Sequence, residues 1–142
     1  MEKRRGQVSV EYLIVVTFVT FLVIGVVGVA LYYSTSLKES IKFYQLGGFA
    51  EKVISSAESV FYSGSPSKAT ITAYLPGGIT GIEIMENQIV FTISTNNGEA
   101  ITAYSSNVPI TWVGGQPISS SKGLKRIEIK AVSDAVEISE VG

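Results

Sequence analysis

The chain contains neither cysteine nor histidine. Without cysteine there is no disulfide framework and no thiolate metal site. Without histidine the commonest metal ligand and the usual general base near neutral pH are both missing. The reading is therefore of a protein that is not an enzyme and carries no cofactor and no metal. Charge is also sparse: Asp, Glu, Lys and Arg make up 16% of the chain and the formal net charge is -1. Nothing in that balance points to a nucleic-acid partner. From Tyr12 to Leu37 there is no charged side chain at all. A length of 142 residues suits one globular domain plus one additional element.

What precedes the charge-free run is basic, in the order Lys3-Arg4-Arg5-Gly6-Gln7-Val8-Ser9-Val10-Glu11. At ~1.5 Å per residue, Tyr12 to Tyr33 spans roughly 33 Å as a helix, about the thickness of a hydrocarbon core. A helix is the form in which a single segment satisfies its own backbone in lipid. Lys3, Arg4 and Arg5 set the topology, staying in the cytoplasm and leaving the chain after Leu37 outside. Gly25 and Gly28 would allow close helix approach, although their spacing of three differs from that of G-x-x-x-G. An ordinary secretory cut would follow the apolar run at a small-x-small site, and Ala30 with Tyr32 makes a poor one. Glu11 is the awkward residue. A carboxylate within a span costs up to ~3 kcal/mol at the bilayer centre and less at the edge, so it is either solvated at the interface or neutralised by a positive partner.

The stretch Lys3 to Glu11 resembles the class III signal of archaeal type IV pilins: a basic stretch, a small residue, then Q-x-S-x-E and an apolar helix. Gln7, Ser9 and Glu11 match that spacing, while Val15 stands where the family often has Leu. The resemblance implies that a membrane aspartyl protease of the prepilin peptidase type cuts between Gly6 and Gln7. Residues 1-6 are then a cleaved signal, and Gln7, Ser9 and Glu11 belong to the segment used in subunit assembly. Glu11, fifth in the mature chain, would meet the terminal amine of a neighbouring copy, since each charge is costly alone in an apolar filament core and less so when paired. An N-terminal Gln can also cyclise to a neutral lactam, which removes that charge. Cleavage removes Glu2, Lys3, Arg4 and Arg5, lowering Lys+Arg from 11 to 8 and Asp+Glu from 12 to 11, so the net charge moves from -1 to -3. The implied function is that of a structural subunit of a surface filament used for adhesion. The implied partners are further copies of the chain in a helical filament, the peptidase and assembly machinery, and the membrane before assembly. The expected location is the cell membrane for the precursor and the extracellular surface for the filament. Two alternatives stand beside it. Archaellum subunits share the cut site and helix but typically begin with a Gly/Ile-rich stretch lacking the Gln, Ser and Glu found here. A monomeric single-pass protein with an outer binding domain would have no need of Glu11.

After the span the pattern turns amphipathic. Leu46, Phe49, Val53, Ala57 and Val60 recur at spacings of three and four, which predicts that the helix continues over 38–62 with its apolar stripe against an outer domain. Gly47-Gly48 predicts a kink, and Ser63-Gly64-Ser65-Pro66 a stop. Beyond Pro66 the period becomes two. Thr70–Leu75, Gln88–Ser94, Glu99–Tyr104, Ile110 to Trp112, Lys125–Ala131 and Val136 to Ile138 read as strands, with Asn96-Asn97-Gly98 as a hairpin turn. The expected fold is α+β: a long N-terminal helix over 7-62, apolar over 12-37, and a small antiparallel sandwich-like head over 67-142.

Other clusters read as structure. Glu83, Glu86 and Glu99 suit solvated strand edges and turns better than a carboxylate site. Gly77-Gly78 and Gly114-Gly115 lack the lysine and helix of a phosphate loop. Lys122, Lys125, Arg126 and Lys130 are interrupted by Glu128, which suggests alternating charge on a solvent face. Tyr74, Tyr104 and Trp112 suggest packing over an adhesive aromatic patch. Asn87, Asn96, Asn97 and Asn107 all fail the N-x-S/T sequon.

Overall fold

The computed structural model describes residues 3–142, with side chains from Ser9 onward. A single helix, α1, runs Lys3–Ser63, and the chain divides into two compact units at Ser40/Ile41. In the first unit every side chain from Ser9 to Lys38 is exposed. Four of its hydroxyls, those of Thr17, Thr20, Thr35 and Ser40, donate to the carbonyl four residues earlier, Thr17 and Thr20 to Leu13 and Val16 at 2.7 Å. That back-bonding lets a hydroxyl sit in an apolar helix without an outside partner.

The second unit holds the last turns of α1 and seven strands. They are β1 Lys68–Leu75, β2 Ile79–Met85, β3 Gln88–Thr95, β4 Gly98–Ser105, β5 Ile110–Trp112, β6 Gly123–Ala131 and β7 Val136–Glu140, with a 3-10 turn at Val113–Gly115. One sheet has the order β1-β6-β7-β5 and the other β2-β3-β4. All ladders are antiparallel except the three-residue β5–β7 pair, which is parallel. The α+β class and the two-sheet head agree with expectation; the parallel ladder is a feature the strand pattern did not announce.

The predicted stripe is where α1 meets the sheets. Leu46, Phe49, Val53, Ala57 and Val60 are all buried, as is Ala50. They join Ala73, Leu75, Ile127, Ile129 and Ile138 of one sheet and Ile82, Ile89, Phe91 and Ile93 of the other in a single core. Phe91 is central, with Phe49 and Tyr104 edge-on at ring distances of 6.2 and 6.0 Å. One flank of the helix, Gln45, Phe49 and Lys52, borders β1; the other, Glu51, Ile54 and Glu58, borders β4. Lys52 Nζ donates to the Thr72 carbonyl at 2.7 Å. Glu58 Oε1 accepts from the Asn107 backbone N–H at 3.1 Å and from its Nδ2 at 2.8 Å. β1 and β4 are edge strands of their sheets, so the helix packs beside these two edges and leaves a groove along each flank.

Two expectations need correction. The helix passes through Gly47-Gly48 without a break. Gly47 serves contact instead: a Cβ there would lie 3.4 Å from Tyr104 Oη, while at Gly48 it would meet nothing within 4 Å. The other is β2, a strand absent from the predicted set. Its alternation is broken by a register shift between Ile79 and Gly81, so that Ile79 and Ile82, three apart, are both buried. Its hairpin to β3 places Glu86 (φ 46°) and Asn87 (φ 64°) in the left-handed region, the backbone of a type I′ turn usually signalled by Asn-Gly. The helix stop occurs as expected, with α1 ending at Ser63 and Gly64 at φ 80°.

Candidate functional site

The most conspicuous surface lies in the first unit. Over Tyr12 to Leu37 the helix carries apolar residues all round and none is buried. A cylinder ~10 Å across and ~39 Å long has roughly 1,200 Å² of side wall, about two to four times the ~300–600 Å² of the largest apolar patch on a typical soluble monomer. The helix is long and apolar enough to cross a membrane, and no residue of its most apolar window is buried. At the head of this surface, Glu11 is exposed beside Leu13, Ile14 and Val15 and makes no ion pair or hydrogen bond among the described residues. Ser9 is exposed one half-turn earlier. The side chains of Lys3, Arg4, Arg5 and Gln7, and with them the Gly6–Gln7 junction, lie outside the described residues.

The remaining candidates are scattered by the fold. Glu83 lies on β2, Glu86 in the β2–β3 turn and Glu99 on β4. No group of three or more carboxylates able to hold a metal occurs among the described residues. Trp112 and Tyr104 pack in or against the core while Tyr74 stays partly exposed on β1, so the three aromatics form no common patch. Gly78, at φ 90°, is a docking point: a Cβ would stand 2.9 Å from Lys42 Nζ, which donates to the Ser94 carbonyl at 3.3 Å. Gly114 and Gly115 sit in the 3-10 turn at φ 64° and 73°.

The basic cluster is divided by the strand pleat. Arg126 and Lys130 point outward, as expected for a solvent face, but Lys125 points inward and is only 5% exposed. Its Nζ donates to Glu140 Oε1 and to Ser121 Oγ, both at 2.9 Å. Glu140 Oε2 accepts the Ser119 backbone N–H at 2.8 Å. Burial pushes the Glu140 carboxyl up, but the Lys125 hydrogen bond, the Ser119 N–H and the lysine's charge together hold it below the ordinary 4.5. Sequence reading missed this pair; the only hint was two adjacent cations on a strand whose neighbours alternate, since one of the two must face in.

A second signal also went unread: Ile-Thr-Ala-Tyr occurs at 71–74 and again at 101–104. The copies form the two edge strands that flank α1, in opposite phase. Ala73 is buried and Tyr74 exposed, whereas Tyr104 is half-buried and Ile101 and Ala103 are exposed. No protein-family model, no characterised protein and no solved structure matches this chain.

Proposed function

We propose that the chain is the structural subunit of an archaeal type IV-like surface filament. It would be cut between Gly6 and Gln7 by a prepilin-type peptidase and would polymerise through α1, with the head displayed outside for adhesion. The single observation that carries this reading is the charge-free helical stretch from Tyr12 to Leu37, exposed on every side and headed by an exposed Glu11 that has no partner among the described residues. An apolar belt without a polar face asks to be surrounded, first by lipid and then by like helices, where burial of Val, Ile and Phe supplies cohesion. An acid at the start of that belt is uncomfortable in lipid and useful in an assembly that offers a cation.

The test is to shear filaments from cells and sequence the subunit from its N-terminus. A chain beginning at Gln7 is the expected result; one beginning only at Met1, or the absence of this chain from surface filaments, overturns the proposal. Glu11→Gln is expected to leave membrane insertion and head folding intact and to abolish filament formation. Normal function of that variant as a dispersed membrane protein would favour the monomeric single-pass alternative.

A further inference from the structure

The two sheets of the head present opposite outer faces, and their charges are segregated. No Lys or Arg occurs between Lys68 and Lys122, so the β2-β3-β4 face carries only acids, Glu83 and Glu99, with Glu86 in the adjoining turn. Register places Glu83, Val90 and Ala103 in one row across that face and Gly81, Thr92 and Ile101 in the next. Between the acids these rows hold Val90, Ala103, Gly81 and Ile101 with one hydroxyl, that of Thr92, and Ile101 is 73% exposed there.

The outer face of the other sheet carries Lys68, Arg126 and Lys130 against Glu128 and Glu137. Lys68 is bound to Glu128 at 2.9 Å, while Arg126 and Lys130 make no ion pair among the described residues. Glu83, Glu86 and Glu99 make none either. Tyr74 and Leu124 stand directly opposite each other on β1 and β6, and Leu124 is 74% exposed. α1 stands beside β1 and β4 across a groove on either flank, and the outer faces of both sheets are left uncovered by it.

We propose that these faces meet in the filament: the acidic β2-β3-β4 face of one head packs on the cationic β1-β6 face of the next copy, with Ile101 against Leu124. This rests on the filament reading above. Charge selects the pairing. Like face on like face would set Glu83 and Glu99 against their own copies, or Arg126 against its own, whereas unlike faces pair acids with free cations. A heterologous contact of this kind propagates as an open chain wherever the rotation between successive copies does not close a ring, and the helical filament supplies such a rotation. Its size sets the conditions. Three strands ~4.8 Å apart and ~27 Å long offer about 400 Å², half the ~800 Å² per partner of a standard stable interface. The heads therefore engage only when joined helices raise their effective concentration, and salt weakens the contact.

The absence of cysteine makes the test clean. Full-length Ile101→Cys and Leu124→Cys, both at exposed positions, are co-expressed, and the isolated filaments are oxidised. The expected product is a 101–124 disulfide dimer from the mixed filament, with little dimer when either variant is present alone. Reversing Arg126 and Lys130 to Glu in the Leu124→Cys copy should cut that yield roughly tenfold, and adding Glu83→Lys with Glu99→Lys to the other copy should restore it. Intact filaments that give no 101–124 product, or give 101–101 and 124–124 dimers as readily, overturn the face-to-face contact and leave the filament reading standing. Failure of the chain to enter any filament overturns both.

Discussion

Two stretches of one helix treat their apolar residues in opposite ways. Between Leu46 and Val60 they recur at every third or fourth position and are buried against the sheets. Between Tyr12 and Leu37 they occupy every side and none is buried. The backbone is the same; what differs is angular distribution. A stripe can be satisfied by one wall, and the head supplies it. A belt cannot, so its hydrophobic surface stays outstanding until lipid or other helices surround it. Stability therefore resides in the second stretch, the proposed function assigns insertion and association to the first, and substitutions should separate the two.

The largest expected effect is in the head. Phe91→Ala removes the ring that touches both Phe49 and Tyr104 and should cost about 3–5 kcal/mol, read as an earlier denaturant midpoint by fluorescence of the sole tryptophan, Trp112, in full-length protein in detergent. Membrane insertion should be unchanged. The mirror experiment is Val19→Asp, expected to cost ~3 kcal/mol of insertion, measured by membrane fractionation, with the head's unfolding midpoint unmoved. If either variant impairs both properties, the separation fails.

Next is the inward ion pair. Glu140→Gln leaves the Lys125 ammonium without its counter-charge and should destabilise the head by about 1–3 kcal/mol. Because the folded Glu140 carboxyl lies below its ordinary 4.5, the pair's contribution is complete above about that pH. It is lost as pH falls through the folded value. The gap between parent and variant should therefore close in acid, as followed by unfolding curves from pH 7 downward. The smallest effect concerns the paired glycines. Gly48→Ala, in a helix interior with open space, should stabilise by about 0.5–1 kcal/mol. Gly47→Ala should gain less, because its Cβ meets Tyr104 Oη at 3.4 Å; equal gains would show that Gly47 is not reserved for that contact.

The helical stripe was legible because a period of 3.6 with large apolar residues has one interpretation. β2 was not, because the shift at Gly81 breaks its alternation and its turn is made by Glu86-Asn87 in a backbone usually associated with glycine. Gly47-Gly48 resembled a break for want of any sign of Tyr104, a residue more than fifty positions away. Of the candidate surface, the apolar belt and Glu11 were plain from composition, since an uncharged run interrupted by nothing needs no partner to be recognised. The segregated sheet faces were not, because which residues share a face depends on strand order and register.

The sequence alone determined the helix, its uncharged belt with Glu11 at the edge, and the absence of cysteine and histidine chemistry; these follow from composition and a short-range period. Only the tertiary structure decided the faces of the head. Ile-Thr-Ala-Tyr shows the limit. At 71–74 its alanine goes in and its tyrosine out, while at 101–104 the tyrosine turns in toward Phe91 and Gly47 and the isoleucine turns out. A strand's period of two allows both phases equally, and the choice belongs to the neighbouring strand and to the space the helix leaves free.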